Sequence, residues 1–559
     1  MTIQFDEEKQ DQKLNTLLHK EEEDLVEMLS GKYGVSYVNL LAIPINMDAL
    51  RLISEEKARA ALVASYALVD KKIKVAARNP DQQSTKEILK ELQEKGYDPI
   101  VSIASTQSLE RAWKMYKDLS FAYESKAGSL EISSDEIGAI VEKVKSLPTV
   151  ISILTETMSA KKSYRVSRIL ETIVAGALAV NASDIHLEPE EDYVRLRYRM
   201  DGVLQDVIRF DNETYGLVLS RLKLISGMKL NIKKDAQDGR FSIRLSFGDI
   251  EVRASILPGA YNESVVMRLL NPKSIEVSLE ELGINPKLLK ILLVEIDRPD
   301  GMILTTGPTG SGKTTTLYAF LKKVHSSDVK IITIEDPIEY HLPGIVQTQV
   351  NDKGYTFLEG LRAAVRQDPD IIMVGEIRDQ ETADIAINSA LTGHLVFSTI
   401  HTNDAAGTFP RLVELGANPS VIPSALRVAM AQRLVRRLCS VCKKEVSVDS
   451  DMNAKRIIDT ILADIVDRTL LPENQIKMWV NVGCDKCNMT GYKGRVGVYE
   501  AILMNEKVEQ AVQSGAGDRD IWAAAKDQGI LTMKQDGIIK ILQGMTSVSE
   551  LQRIISLED

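Results

Sequence analysis

Hydrophobic and polar positions repeat with different periods along this chain, and the changes of period divide it. From Tyr33 to about Leu119, short apolar runs separated by turn residues make an α/β pattern. Val35-Ser36-Tyr37-Val38-Asn39-Leu40 reads as a strand, and Ser54 to Val69 as a helix. Lys72-Ile73-Lys74-Val75-Ala76 reads as a second strand, closed by the turn at Asn79-Pro80. Residues 120 to 150 contain Gly128, a helical Glu131 to Lys145, and Pro148, which suit a linker helix. A helix from Val166 to Asn181 opens the next unit, and strands follow. In Tyr193 to Met200 the period is two: Val194, Leu196 and Tyr198 share one side, while Arg195, Arg197 and Arg199 share the other. One side is predicted to be core and the other a basic ridge, with Asp201-Gly202 turning the chain. Strands recur at Phe241 to Phe247, Ile250 to Ile256 and Ser264 to Leu270, an α+β arrangement. After Leu282-Gly283 the alternation becomes strand-helix-strand, which predicts a mostly parallel sheet with helices on both faces.

Length and charge narrow the class. A chain of 559 residues exceeds a single core, so about three or four domains are expected. The net charge of −10 weighs against a dedicated nucleic-acid binder, although local basic patches stay open. Residues 1 to 30 carry nine acids against three bases and no Gly or Pro, which reads as a charged, helical or frayed, solvated arm. No apolar run approaches the roughly 18 residues of a membrane span, and the polar, acidic start is unlike a signal peptide. A cytoplasmic location is the expectation. All four cysteines fall in two C-x-x-C pairs, leaving none for the disulfide framework of an exported domain.

The sharpest chemical signal is Gly307-Pro308-Thr309-Gly310-Ser311-Gly312-Lys313-Thr314, a complete G-x-x-x-x-G-K-[ST] phosphate loop. The apolar Met302-Ile303-Leu304 before it and the run from Thr315 to Phe320 after it supply the strand and helix the loop requires. Glycines let backbone N–H groups close around phosphates at a helix N-terminus; Lys313 then reaches the β/γ oxygens and the Thr314 hydroxyl ligates Mg²⁺. A nucleoside triphosphate and Mg²⁺ are thus the expected ligands. Three further apolar strands end in polar groups where open α/β sheets bind ligands. Lys330 to Ile334 ends in Glu335-Asp336, Asp370 to Val374 in Gly375-Glu376, and Leu395 to Ile400 in His401. Phosphoryl transfer to water needs a carboxylate that orients the water, a metal with an acidic second partner, and a polar sensor of the γ-phosphate. These residues supply candidates for each, but the pattern does not rank the two glutamates. His394 precedes its strand and reads as structural.

Cys439-x-x-Cys442 and Cys484-x-x-Cys487 form two knuckles, and four thiolates around Zn²⁺ are their simplest joint use. The 41 residues between Cys442 and Cys484 exceed common zinc-finger spacing, so redox chemistry or four buried thiols stay open.

Three segments carry a family resemblance. Thr333 to Tyr340 resembles the Asp box, Gln367 to Asp379 the atypical Walker B segment, and Thr392 to Asp404 the His box of bacterial secretion ATPases. The chain is similar to the type II secretion and type IV pilus assembly ATPases (GspE/PilB-like) from about residue 33 onward, most specifically over 301–440 and 484–500. The resemblance implies a multidomain α/β protein. An N-terminal docking domain (1–120) and linker (121–155) would precede an α+β, PAS-like domain (156–282). A RecA-like P-loop core (283–438), a tetracysteine zinc subdomain (439–498) and a C-terminal helical segment (499–559) would follow. It makes Glu335 the general base, Glu376 the Walker B acid acting on Mg²⁺ through water, and His401 a γ-phosphate sensor. Arg253 and Arg268 would be arginine fingers on a neighbouring subunit's nucleotide, with Arg366 and Arg378 nearby; the residues alone read as solvated strand arginines. The tetracysteine site would be structural zinc.

By the same resemblance the protein would be a hexameric ATP-hydrolysing motor at the cytoplasmic face of the inner membrane. It would drive pilin-like subunits through a membrane platform protein, in pilus assembly or type II secretion. Retraction motors generally lack the first domain and the tetracysteine segment present here. Some relatives bind cyclic di-GMP in the first domain, but their Arg-Leu-Gly-x-x-Leu elements are not found in residues 1–120, so a docking module is expected. A nucleic-acid motor is the competing reading, from the phosphate loop, the knuckles and the arginine-rich strand. The acidic charge and the lack of an aromatic-basic face weigh against it.

Overall fold

The computed structural model describes residues 22–557 apart from 44, 47–48, 51, 70, 95, 119–123, 126–128, 131–140, 142–143, 145, 160–164, 246–247, 272–276, 352–353 and 474. Most of the acidic arm and nearly all of the expected Glu131 to Lys145 helix lie outside the described residues; 22–33 are helical. The chain forms two units, Met1–Tyr123 with Ala160–Ser167, and Glu124–Ser159 with Arg168–Asp559.

The first unit is built on a four-stranded sheet ordered β1 (Ser36–Tyr37), β4 (Asp98–Ile103), β3 (Lys72–Ala77), β2 (Val63–Val69). β3 and β4 run parallel, joined by the helix Gln83–Glu94, which buries Ile88 and Leu92. The expected helix from Ser54 to Val69 is half wrong. Ser54 caps a helix that lasts only Glu55–Ala60; Leu62 then turns the chain at φ 53°, and Val63–Val69 runs antiparallel to β3. Val-Ala-Ser-Tyr-Ala-Leu-Val suits either period locally. Pairing with β3 and the Trp113 indole N–H donating to Val63 O at 2.9 Å decide for the strand.

The second unit begins with the short pair β5 (Glu124–Ser125) and β6 (Ser129–Leu130) and contains two large sheets. The six-stranded sheet is antiparallel, formed by β7 (Asp184–Pro189), β8 (Val194–Met200), β9 (Val203–Phe210), β10 (Gln237–Leu245), β11 (Gly248–Pro258) and β12 (Glu263–Leu270). Its order is β10-β11-β12-β7-β8-β9. Val194, Leu196 and Tyr198 are fully buried, and the Tyr198 hydroxyl donates to Ile173 O at 2.6 Å, tying β8 to the helix Arg165–Ala179. The predicted basic ridge is neutralised. Arg195 pairs with Glu190 at 3.1 Å, Arg197 with Glu188, and Arg199 with Asp184 at 3.2 Å, because β7 and the turn before β8 bring carboxylates alongside.

The seven-stranded sheet consists of β13 (Gly301–Thr306), β14 (Ile331–Glu335), β15 (Val346–Gln349), β16 (Ile371–Val374), β17 (Leu395–Ile400), β18 (Leu426–Leu438) and β21 (Tyr492–Leu503). Its order is β15-β14-β16-β17-β13-β18-β21, parallel except for the β18/β21 pair. The inner parallel strands β13, β14, β16 and β17 are buried on both faces, as a doubly covered sheet demands, whereas the edge strand β15 is polar and partly exposed. Met302 and Leu304 join one core with the helices Phe357–Val365 and Gln380–Leu391; Ile303 joins the other with Pro286–Ile296 and Lys313–Val324. Between β18 and β21 the chain leaves the sheet for β19 (Lys444–Ser447), the helix Met452–Ala463 and β20 (Lys477–Val480). Among the described residues no helix is long and apolar enough to cross a membrane.

Candidate functional site

The phosphate loop leaves β13 at Thr306 and enters the helix Lys313–Val324. Gly307 and Gly312 hold φ at 145° and 93°, where side chains are strained, and packing forbids a Cβ at Gly307 and crowds one at Gly312. A Cβ on Gly307 would lie 2.6 Å from Gln432 O and 2.7 Å from Ser311 Oγ; one on Gly312 would lie 3.0 Å from Gln432 Nε2. Gln432, on β18, also donates to Ser311 O at 2.7 Å, and the next residue, Arg433, donates to Asn403 O at 2.7 Å. These two were missed in the sequence. Their signal is a polar pair following the apolar Val428 to Ala431 on a strand next to the loop's own.

Lys313 Nζ donates to the loop carbonyls of Gly307 at 2.7 Å and Pro308 at 3.3 Å. Burial holds its ammonium below the usual lysine range, and Glu376 opposes that shift by its charge. Thr314 lies exposed, Thr315 half-buried. Pro308, Thr309 and Gly310 form the outer curve of the loop, with Ser311 buried beneath it.

The two glutamates occupy opposite electrostatic settings. Glu335, the last residue of β14, is only 3 % exposed. Its carboxylate accepts from Thr333 Oγ1 at 2.5 Å, Gln347 Nε2 at 3.1 Å, and the Tyr318 hydroxyl. Burial nonetheless pushes it above the ordinary glutamate range. Tyr318 belongs to the phosphate-loop helix, so this bond ties Glu335 to it. Glu376 follows β16 and is hydrogen-bonded by Arg378 and by His401 Nε2 at 3.1 Å. Burial works to raise it, but Arg378 and His401 prevail and hold it below the ordinary range. His401, at the end of β17, is 54 % exposed. The Thr306 hydroxyl bonds the Thr402 hydroxyl at 2.7 Å, joining β13 to the loop after His401. His394 Nδ1 lies 3.0 Å from Ser389 O, before β17.

Arg253, on β11, donates to Ile338 O at 2.8 Å and pairs with Glu339 at 3.3 Å, so it grips the segment after Glu335 in its own chain. Arg268, directly across on β12, pairs with Asp184 at 3.1 Å and stays 59 % exposed. Arg240 on β10, opposite Arg253, extends the row and was missed, since only strand register reveals it. Arg366 is exposed at the end of the helix Phe357–Val365.

The four thiols converge: Cys439 to Cys484 is 3.9 Å, Cys442 to Cys487 is 3.7 Å, Cys484 to Cys487 is 3.7 Å, and all lie within 4.8 Å of one another. Thiolates ~2.3 Å from a tetrahedral zinc stand about 3.8 Å apart, so the donor set fits Zn²⁺. Backbone N–H groups of Gly483, Cys484 and Gly491 donate to Cys442 and Cys487 sulfur, at 3.3, 3.2 and 3.2 Å, stabilising thiolate charge.

Residues 159–553 match the family described as Type II/IV secretion system protein, and residues 33–121 match the MshEN domain. The type IV pilus assembly ATPase PilB of Myxococcus xanthus is 36% identical over 98% of this chain and 94% of its own. Type II secretion system protein E of Aeromonas hydrophila is 42% identical over 71% of this chain and 77% of its own. Among solved structures, the pilus retraction motor PilT with bound ADP is 26% identical, with a TM-score of 0.46, over 69% of this chain and 96% of that one. The family match across most of the chain, and a relative at this identity along nearly all of it, agree: the chain belongs to the type II/IV secretion system protein family and is an ATPase of it.

Proposed function

We propose that the protein is a homo-hexameric motor that hydrolyses ATP to drive pilin-like subunits into a pilus or a type II secretion pseudopilus. It works at the cytoplasmic face of the inner membrane against a platform protein, with the first unit as docking module. The observation that carries the reading is the complete phosphate loop on a parallel sheet whose neighbouring strands end in Glu335, Glu376 and His401. Their environments push the two carboxyls apart, the signature of divided acid–base labour. The raised Glu335 suits a base that takes a proton from the attacking water. The lowered Glu376, whose charge acts on Lys313, suits an acid that stays ionised beside Mg²⁺ and phosphate. Thr314 would hold the Mg²⁺, which when bound neutralises charge on the β and γ oxygens.

The test is Mg²⁺-dependent ATP hydrolysis by the purified chain together with its sedimentation as a six-chain ring. In the source bacterium, loss of surface pili or of a secreted protein on Lys313→Ala completes it. An inert monomer, or hydrolysis stimulated only by DNA, overturns the reading. Pairing of Arg195, Arg197 and Arg199 with carboxylates removes the basic face that a nucleic-acid motor would use.

The tetracysteine centre is assigned to structural zinc, held by Cys439, Cys442, Cys484 and Cys487. Asn488, beside Cys487, accepts from Leu147 N at 2.8 Å, and Asp201 accepts from Gly494 N at 3.0 Å. The second knuckle therefore holds the start of the helix Leu147–Ser159, and the strand after it holds the β8/β9 turn. Metal analysis is expected to find about one Zn²⁺ per chain, and Cys484→Ser to lower the melting temperature, because metal-binding energy in such modules is folding energy. A metal-free protein that melts at the same temperature with and without chelator would refute the assignment.

A further inference from the structure

A buried carboxylate outside the reaction scheme joins the His401 loop to the C-terminal helices. Glu500, on β21, is 4 % exposed. One of its oxygens accepts from Ala405 N at 3.0 Å, in the loop that follows His401. The other accepts from Met533 N at 2.9 Å, at the first turn of the helix Met533–Leu542. Both donors are backbone groups, and a buried N–H without a partner is costly. The carboxylate is therefore the shared anchor of two segments that are 128 residues apart in sequence. The same loop is pinned on its other side by Thr306 to Thr402 and by Arg433 to Asn403. Glu500 thus completes a frame in which β13, β18 and β21 each hold one residue of the turn carrying His401.

We propose that Glu500 is a positioning residue for hydrolysis: it sets the His401 loop and couples that loop to the C-terminal helix Met533–Leu542. Movement of the loop on nucleotide binding is passed to the helix through the two N–H groups that Glu500 accepts. The inference rests on the nucleotide-hydrolysis reading above, and the experiment separates the two.

Two variants cut the link from different sides. Glu500→Gln keeps one acceptor oxygen but turns an amide NH₂ toward one of the two N–H donors. Met533→Pro deletes the second donor and shortens a buried side chain, at the first helical position where proline is tolerated. Thr532 before it is already extended, at φ −69° and ψ 163°, as a residue preceding proline requires. Met533→Leu controls for the buried side chain. In each cut variant turnover is expected to fall about tenfold or more with the ATP KM nearly unchanged, the pattern of a lost transition-state arrangement. Met533→Leu is expected to behave as the unaltered chain.

Hydrogen exchange supplies a readout that a purely structural role would not move. With an ATP analogue, amides of 401–407 and 531–537 are expected to gain protection together in the unaltered chain. In Glu500→Gln and Met533→Pro only 401–407 should respond. His401→Ala combined with Glu500→Gln is expected to cost less than the product of the single effects, since both act through one loop. Unchanged turnover in both cut variants, or joint protection that survives them, overturns the proposal. So does a loss of turnover matched by a rise in KM with no change in exchange coupling. An unaltered chain that neither binds nor hydrolyses ATP overturns the hydrolysis reading and this one together, whereas normal turnover with uncoupled exchange overturns this one alone.

Discussion

Glu335→Gln is expected to leave ATP and Mg²⁺ bound but to slow hydrolysis at least ~10²-fold, about 2.7 kcal/mol of transition-state stabilisation. Lys313→Ala, by contrast, is expected to lose nucleotide affinity itself, since Lys313 heads the helix at the phosphate loop. The two phenotypes separate under equilibrium binding of a fluorescent ATP analogue followed by single-turnover hydrolysis. Near-normal turnover in Glu335→Gln would move the base to Glu376. The pH profile gives a second, signed check. A base must be deprotonated, so the rate rises with pH through the Glu335 pKa, and burial places that rise above the ordinary glutamate range. Tyr318 and Thr333 donate to the carboxylate and so favour its charged form. Removing either donor, as in Tyr318→Phe or Thr333→Val, is expected to move the rise to still higher pH. A shift downward would show that these groups act on something other than Glu335.

What the sequence made legible was whatever is local. The phosphate loop is contiguous, and its glycines are demanded by conformation at their own positions, so Gly307 and Gly312 could be read before any fold was known. Strand ends carrying Glu335, Glu376 and His401 were readable for a similar reason: four- to six-residue apolar runs in a chain of parallel crossovers place their last residues at one sheet edge. What failed was set by partners on other strands, some near in sequence and some far. Val63 to Val69 has no decisive period of its own and becomes a strand because β3 pairs with it. The arginines of β8 alternate as expected, yet their charge is cancelled from β7 and from the turn preceding β8. Gln432, Arg433 and Glu500 sit on β18 and β21, outside the phosphate loop and the three motif segments, and only the sheet order brings them beside the loops they hold. Arg240 joins Arg253 and Arg268 by register alone.

That arginine row leads to the second large effect. An arginine that meets the γ-phosphate in the transition state is worth roughly 10³-fold or more in phosphoryl transfer, because it neutralises charge that develops only there. Within one chain Arg253 is engaged by Ile338 and Glu339, whereas among the described residues Arg268 is held only at its edge by Asp184 and is mostly exposed. On the hexameric reading proposed above, Arg268 is the one of the two whose guanidinium a neighbouring subunit could meet, and Arg268→Ala is expected to be the more damaging substitution for turnover. Arg253→Ala is expected to lower stability as well, since it frees Glu339 and a backbone carbonyl. Arg268→Ala chains mixed with Lys313→Ala chains, each nearly inactive alone, test the placement in trans. In a mixed ring, an intact phosphate loop from the first chain meets an intact Arg268 from the second, and a measurable fraction of activity should return. Recovery that grows with the mixing ratio, peaks near equal amounts and vanishes when assembly is blocked would identify the shared site. No recovery despite proven co-assembly, with the Arg253→Ala pair equally silent, would mean that both arginines serve their own chain.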